Sequence, residues 1–542
     1  MNITDICNTY FPYKNPRPQQ IQAIKDIIEC FESGKRFFAL EAGTGVGKSA
    51  IAYTVAKYFS SKNNGSEDYK NGALFVTTQK ILQEQYVKDF GSKGLKTISS
   101  AKNYSCKRSN KFHKKSCADT QQELRVTNNN APGFENCTFD CIYKIAKTEF
   151  IESELSVTNF PYLLTEANFS GKIKPRQLLI IDEAHNIETE LSKFVEISVS
   201  EKFSKSVLKT EMPKLDTQVQ AFKWIKEVYW PKLDSHTEFV KSQLDRFNKL
   251  KENLEQFATL SRQLQLLEGH HQKIEKFLSI YEKDNWVYEL KESDEQKLMK
   301  LSFKPIDISQ YSHQYLLKLG YYVLFMSATL LSSEKFLEGL GIKKEDSGNL
   351  FLASPFPKEN KPIFQVSAGS MSANNIDKSL PEIVKVIKTI LNEHKNEKGI
   401  IHTHSYKISN YLQKHIKSDR LLFAGSDNRD DILKKHKNSK NHTVIISPSM
   451  TEGVDLEGDL SRFQIICKIP YPYLGDKLVS KRMHKWSWWY PFQTAKTIIQ
   501  SLGRSIRSEK DSAITYIIDS DWKYFYSKNK DLFPKDFDEC LK

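Results

Sequence analysis

The sequence predicts an α/β protein built around two parallel sheets, and three observations carry that prediction. The apolar run Phe37-Phe38-Ala39-Leu40 reads as a strand, enters Ala42-Gly43-Thr44-Gly45-Val46-Gly47-Lys48-Ser49, and continues into the helix-forming stretch Ala50–Ala56. A second buried run, Leu178-Leu179-Ile180-Ile181, ends in Asp182-Glu183-Ala184-His185. A further set of short apolar strands, Gly399–Thr403, Val444–Ser447 and Ile465–Ile469, lies toward the C-terminus. The 542 residues are too many for one core, so about two to four domains are expected.

The chain opens with a proline-rich segment, Tyr10–Gln20, which stays extended. A helix follows from about Ile21 to Phe31, with Ile21, Ile24, Ile27, Ile28 and Phe31 on one face. Gln20, just ahead of it, carries an amide able to give and take a hydrogen bond, as adenine recognition needs. Gln19 is the neighbouring alternative. The 42–49 stretch has the strand–loop–helix setting of a phosphate-binding loop. Gly43, Thr44, Gly45, Val46 and Gly47 can turn backbone N–H groups toward a phosphate, and the helix N-terminus adds positive potential. Lys48 can reach the β- and γ-phosphates, and Ser49 can place its hydroxyl on Mg²⁺. The bland alternative is a glycine-rich turn with a surface lysine.

After a polar stretch, Ser60–Asn71, the run Ala73–Thr78 reads as a strand. Thr77-Thr78-Gln79 at its end suits contacts to a nucleic-acid backbone; a helix cap by Thr78 is the alternative. Next, Cys106, Cys117, Cys137 and Cys141 fall in a C-x10-C-x19-C-x3-C pattern, among Lys102, Lys107, Arg108, Lys111, Lys114 and Lys115. Four clustered thiols can hold Zn²⁺ or an iron–sulfur cluster, and the spacing does not choose between them. Ser156–Leu164 reads as strand, turn and helix. The acidic pair closing the 178–181 strand places one carboxylate, Asp182, on Mg²⁺ and the next, Glu183, beside the attacking water as general base. His185 would couple this site to the second lobe.

From about 200 to 315 glycine is nearly absent. Val240, Leu244, Phe247, Leu250, Leu254, Phe257, Leu260, Leu264 and Leu267 recur at steps of three and four. They predict one long amphipathic helix, broken at Gly269-His270-His271, with a second starting at Ile274. The main chain pattern then resumes with the strand Tyr322–Met326 and Ser327-Ala328-Thr329, and Ser354-Pro355-Phe356-Pro357 reads as a linker. In the second α/β unit, Glu452 and Asp455 lie in Thr451-Glu452-Gly453-Val454-Asp455-Leu456. Gln500, Arg504 and Arg507 share one helical face. Two guanidinium groups aimed at one point suit a γ-phosphate; a solvated basic face is the alternative.

Hydrophobic residues make up 39% of the chain, enough for ordinary cores, and the net charge is +14 with a pI near 9.0. That surplus fits a polyanion partner; a general lysine bias would give the same number. The N-terminus does not read as a secretory signal, and no apolar run reaches the ~18 residues of a membrane span. The eight cysteines fit an intracellular, reducing setting better than a secreted scaffold.

Together these motifs resemble the superfamily 2 DNA helicases of the XPD/DinG group. The resemblance rests on Phe11-Pro12-Tyr13 with Gln20, on Ala42–Ser49, and on Asp182-Glu183-Ala184-His185. It also rests on Ser327-Ala328-Thr329, Ser354-Pro355-Phe356, Glu452–Leu456 and Gln500–Arg507. It implies two RecA-like motor domains with ATP and Mg²⁺ between them, a [4Fe-4S] cluster on the four cysteines, and a helical arch. The implied division is motor domain 1 over 1–99, 151–199 and 316–357, the cluster insert over 100–150, the arch over 200–315, and motor domain 2 over 358–542. The resemblance further implies a monomeric motor moving 5′ to 3′ on single-stranded DNA and opening duplexes at junctions with single strands. The departures are short inserts and a cysteine spacing that copies neither the XPD nor the DinG pattern.

Overall fold

The computed structural model describes residues 2–106, 116–118, 141–250, 254–292, 298–425, 427–450, 456–503, 505, 506, 508, 510–534 and 537–542. Its first lobe is a seven-stranded sheet in the order Ser347–Leu352, Phe37–Ala42, Gly320–Ser327, Arg176–Asp182, Lys70–Thr77, Leu155–Asn159 and Leu95–Thr97. Every pairing in it is parallel. Both faces of such a sheet are covered, which is why its strands read as continuous apolar runs. Residue by residue the strands feed two cores: Leu74, Val76, Leu179 and Ile181 point to one face, Ala73, Phe75, Leu178 and Ile180 to the other. The second lobe is a six-stranded sheet, again all parallel, in the order Ile363–Gln365, Ile514–Ile517, Phe463–Ile466, Gly399–His402, Val444–Ser447 and Leu421–Phe423.

Parallel strands put all their C-terminal ends on one edge. In the first lobe that edge lines up the loop after Ala42, Ser327-Ala328-Thr329, Asp182-Glu183 and Thr77-Thr78. The register sets Glu41 opposite Ser327 and Asp182 opposite Met326. Functional groups far apart in sequence thereby become neighbours.

The region between Ser200 and Gly320 differs from a purely helical insert. Met299–Pro305 pairs antiparallel with both Trp286–Glu292 and Ile197–Ser200, giving a three-stranded sheet at its base. Nor does Gly269-His270-His271 break a helix. One helix runs from Leu254 to Ile280 through all three residues, and it lies alongside a separate helix, Trp230–Leu250. His270 Nε2 meets the Tyr229 hydroxyl at 2.8 Å, and His271 Nε2 meets Asp234 Oδ1 at 2.8 Å. A glycine inside a helix costs only about 1 kcal/mol, and those side-chain bonds hold this turn in place. The insert also shares the first lobe's core: Trp224, Ile274, Phe277 and Trp286 pack in the same cluster as Leu179 and Ile181. Lys276 reaches back from the insert to within 3.6 Å of the Tyr315 ring centre, with Phe169 and Phe194 beside it. Among the described residues, no helix is long and apolar enough to cross a membrane.

Cys141 opens the helix Ile142–Glu152, and the other end of that helix is tied to the first-lobe sheet. Arg176, the first residue of the strand ending at Asp182, is only 3% exposed. Its guanidinium donates to the carbonyls of Phe150 (3.0 Å), Ile151 (3.2 Å) and Ser153 and to the Ser156 hydroxyl (3.0 Å). Lys70 Nζ donates to Glu152 O at 2.8 Å. Cations at a helix C-terminus are favoured by its dipole and unpaired carbonyls. Burial lowers the Arg176 pKa to about 10, so its charge persists at neutral pH. Arg176→Ala, which strands several buried carbonyls, should cost about 3 kcal/mol. In thermal unfolding, Arg176→Lys should lose less; an unchanged melting curve for the alanine variant would contradict this role.

Candidate nucleotide site and inter-lobe cleft

The loop after Phe37–Ala42 ends in a helix, Lys48–Ser61, whose N-cap Gly47 has φ +87°; Gly45 has φ +87° as well. Both are left-handed conformations that suit glycine. Two side chains from the N-terminal segment grip the loop from outside. Arg17 Nη1 donates to Gly45 O at 2.7 Å, and Gln20 Nε2 donates to Val46 O at 2.8 Å. With these carbonyls drawn outward across trans peptides, the N–H groups of Val46 and Gly47 are turned the other way. Gln20 Oε1 also accepts from Arg17 N at 2.9 Å. The Gln20 amide therefore already bonds at both ends, fixing the loop to the helix Pro18–Glu32. A reading of adenine through that amide has to share these bonds. Lys48 Nζ donates to Ala42 O at 3.1 Å.

Asp182, at the end of its strand, accepts from Glu183 N at Oδ1 (2.9 Å) and from the Tyr86 hydroxyl at Oδ2 (3.0 Å). Tyr86, on the helix Lys80–Phe90, has Ser49 near its hydroxyl as well and so stands between the two side chains assigned to Mg²⁺. Burial, reinforced by the neighbouring Glu183 charge and opposed by Lys48, pushes the Asp182 pKa up to about 6. A buried, reluctant carboxylate of this kind is what a bound divalent cation compensates. Glu183 has φ +50°, an unusual value for a non-glycine residue.

His185 sits at the junction of three elements. Its Nδ1 lies 2.7 Å from Ser327 Oγ, 3.2 Å from Thr329 Oγ1 and 3.3 Å from Glu183 Oε2. Its Nε2 lies 2.8 Å from Gln500 Nε2, on the second-lobe helix Trp489–Leu502. With the Gln500 amide donating to Nε2, the ring proton sits on Nδ1 and is given to Ser327. One imidazole therefore links the acidic pair, the Ser327–Thr329 turn and the second lobe. A cleft of about 560 Å³ runs along this contact, lined by Thr44, Thr78, Glu183, Ser354, Phe356 and Gln500 among others. Away from the cleft the lobes are clamped again. Arg482, buried in the second lobe, pairs with Glu188 at 2.6 Å and donates to Ile306 O at 2.9 Å. Trp489 Nε1 donates to Glu188 at 3.2 Å.

The remaining expectations fall as follows. The helix after Lys70–Thr77 is capped at Gln79 rather than Thr78, and the Thr78 hydroxyl is buried without a hydrogen-bond partner on the cleft wall. Cys106 and Cys117 are buried, and Cys141 is partly so. Cys117 Sγ lies 3.8 Å from Ser105 O with Cys141 and Cys106 near it, and burial, with those thiols, pushes the Cys117 pKa up to about 11. Among the described residues no three His, Cys, Asp or Glu side chains are arranged as a ready metal site. Cys137, Glu452, Asp455, Arg504 and Arg507 lie outside the described residues.

Three site residues escape the sequence reading. Arg17 sits between two prolines, Tyr86 looks like an ordinary core aromatic, and Glu41 is a lone acid inside an apolar strand. Glu41 accepts from Leu331 N at 2.7 Å. It anchors the turn that follows Ser327–Thr329. Burial pushes its pKa up to about 7.

Two parallel-sheet lobes, a P-loop-type turn and an acidic pair on one sheet edge, and a histidine bridging the lobes make a two-lobed P-loop architecture. Residues 13–210 match the family model described as the type III restriction enzyme res subunit, and residues 387–540 match the helicase C-terminal domain. The chain is 27% identical over 256 residues to the ATP-dependent DNA helicase DinG of Photobacterium profundum, covering 43% of this chain and 36% of that one. It is 22% identical to a probable ATP-dependent helicase of Methanocaldococcus jannaschii, over 94% of this chain and 93% of the other. An XPD helicase structure superposes with a TM-score of 0.64 at 18% identity, covering 96% of this chain and 99% of that one. The DinG match spans about a third of that relative's length. By these matches the chain is similar to the XPD/DinG-like helicases of superfamily 2.

The raised Asp182 pKa gives a signed prediction. An ordinary unfolded aspartate titrates near ~3.9, below the folded value of about 6. Its contribution to stability is therefore fully present below pH ~4 and lost as pH rises through about 6. Asp182→Asn should raise the melting temperature of the nucleotide-free protein at pH 8 by about 1–3 °C. The gain should shrink at pH 5. A variant less stable than the parent at pH 8 would contradict the buried-charge account.

Proposed function

We propose that this protein is an ATP-dependent DNA helicase that moves 5′ to 3′ on single-stranded DNA and opens duplexes at junctions. The observation that carries the reading is the His185 bridge, which joins the acidic pair to Gln500 of the other lobe. A hydrolytic site wired in this way to a second lobe is the arrangement of a motor, and the relatives named as DNA helicases supply the substrate class.

In this reading ATP enters between the lobes. Lys48 leaves Ala42 O for the β- and γ-phosphates, and the N–H groups around Gly47 take the remaining phosphate oxygens. Ser49 and Asp182 hold Mg²⁺, with Tyr86 fixing both. Glu183 orients and deprotonates the attacking water. Arg504 and Arg507 stabilise the γ-phosphate charge from the second lobe, and Glu452 and Asp455 complete the nucleotide contacts from that side. Loss of the γ-phosphate then alters the His185–Gln500 contact, and the second lobe shifts along the strand. Thr78, with its unpaired hydroxyl, faces that strand.

Cys106, Cys117, Cys137 and Cys141 hold a [4Fe-4S] cluster in this reading, supported by the proximity of the three described thiols. The chemistry it supplies is structural: it staples a small lysine-rich insert at the point of strand separation. The protein acts in DNA repair or replication-type processes inside the cell, as a monomer.

Lys48→Ala and Glu183→Gln should each abolish ATP turnover, with Glu183→Gln still binding a fluorescent ATP analogue; loss of binding in both would remove the division of roles. Anaerobically prepared protein should carry about four iron atoms per chain, and Cys117→Ser should lose iron and unwinding while keeping part of its ATPase. Stoichiometric zinc instead of iron would overturn the cluster. Duplexes with either a 5′ or a 3′ single-stranded tail test the polarity. Opening from the 5′ tail alone is expected; a 3′ preference would contradict the direction. Hydrolysis without opening either duplex would leave a translocase that does not separate strands.

A further inference from the structure

The inter-lobe linker lies directly on the phosphate loop. Gly43 N donates to Leu352 O at 3.0 Å, and Ser354 Oγ donates to Thr44 O at 2.9 Å. The Phe356 ring occupies the space beside Gly45, where a Cβ would come within 2.2 Å of it. Just beyond that strand pairing, the linker residues Ser354 and Phe356 thus cover the consecutive loop residues Thr44 and Gly45. The same ring packs with Ile506 and Ala513 of the second lobe. Ile506 stands in sequence between Arg504 and Arg507. Beyond Phe356 the linker is fastened to the second lobe, with Ala513 N donating to Asn360 O at 2.9 Å and Ile363–Gln365 joining its sheet.

We infer that Phe356 is a positioning residue that carries the state of the phosphate loop to the arginine-bearing segment of the second lobe. This rests on the motor reading above. A loop that closes on phosphates moves Gly45, and Gly45 has no side chain to cushion the ring against it. The ring is buried (7% exposed) between two packed surfaces, so a displacement on one side is passed to the other rather than absorbed. The route is independent of His185 and Gln500. It explains why a bulky aromatic is set against a glycine of a loop that has to move.

The test is the change in single-stranded DNA affinity produced by a non-hydrolysable ATP analogue, measured for the parent, Phe356→Ala, Ile506→Val and the double variant. Coupling between sites is commonly about 5–150-fold. The parent should show a nucleotide-dependent change in that range, and Phe356→Ala should fall below about 2-fold while binding a fluorescent ATP analogue within about 3-fold of the parent. Ile506→Val, which trims one methyl from the same contact and folds readily, should lower the coupling in the same direction. The double variant should be no worse than Phe356→Ala alone, because both act through one contact. Parental coupling in a folded Phe356→Ala, or additive losses in the double variant, would overturn the inference and leave the motor intact. No coupling in the parent would overturn both the inference and the motor reading.

Discussion

The structure depends on one imidazole. His185 occupies the gap between the lobes, where its two nitrogens meet Ser327 and Gln500. Each contact constrains the ring's tautomer, and the tautomer in turn fixes which neighbour gives and which takes a proton. Because Glu183 Oε2 lies 3.3 Å from the same ring, the group assigned to activate water shares a hydrogen-bond chain with the other lobe. Any change in the cleft that moves Glu183 therefore changes the inter-lobe contact. The parallel sheet makes this possible, since its C-terminal edge sets two neighbouring strand ends within reach of one side chain.

Around that contact the molecule combines fixed and movable parts. The Glu188–Arg482 pair, with Trp489, clamps the lobes next to the base of the insert. Arg482 is buried, and a buried pair of this kind is costly to break by removing one partner. The insert is bound as firmly: its helix Leu254–Ile280 contributes Phe277 to the first lobe's core. It is packed as an extension of that lobe. On the opposite flank, Arg176 ties the helix that begins at Cys141 to the strand that ends at Asp182.

Much of the fold was legible in the sequence because parallel strands buried on both faces leave an unmistakable mark. Runs such as Leu178–Ile181 and Val444–Ser447 need no tertiary context to be read. The side-by-side setting of the phosphate loop and the acidic pair follows from strand ends on one edge. The small antiparallel sheet was missed because its strands are charged: Tyr288-Glu289-Leu290-Lys291-Glu292 and Met299-Lys300-Leu301-Ser302 sit in a region dominated by helical periodicity. The misplaced helix break at Gly269 has a different cause. Local propensity argued for a stop, and bonds from Tyr229 and Asp234, about forty residues away, outweighed it. Gln20 illustrates a limit of residue type. Its amide was read for a ligand, and the fold uses both ends of it to hold the loop that the ligand would touch. Tyr86 and Glu41 carry no sequence signal at all, since their roles arise from what lies opposite them across the sheet edge.

The central claim is that nucleic acid and nucleotide act on one another through the cleft between the lobes. The most direct measurement is the steady-state rate of ATP hydrolysis as single-stranded DNA is added, for the parent and for Gln500→Ala. The hydrolysis rate of the parent should climb and saturate as DNA is added. Gln500→Ala should retain the DNA-free rate more nearly than the stimulated one. A parent rate indifferent to DNA, or full stimulation in Gln500→Ala, would contradict the claim.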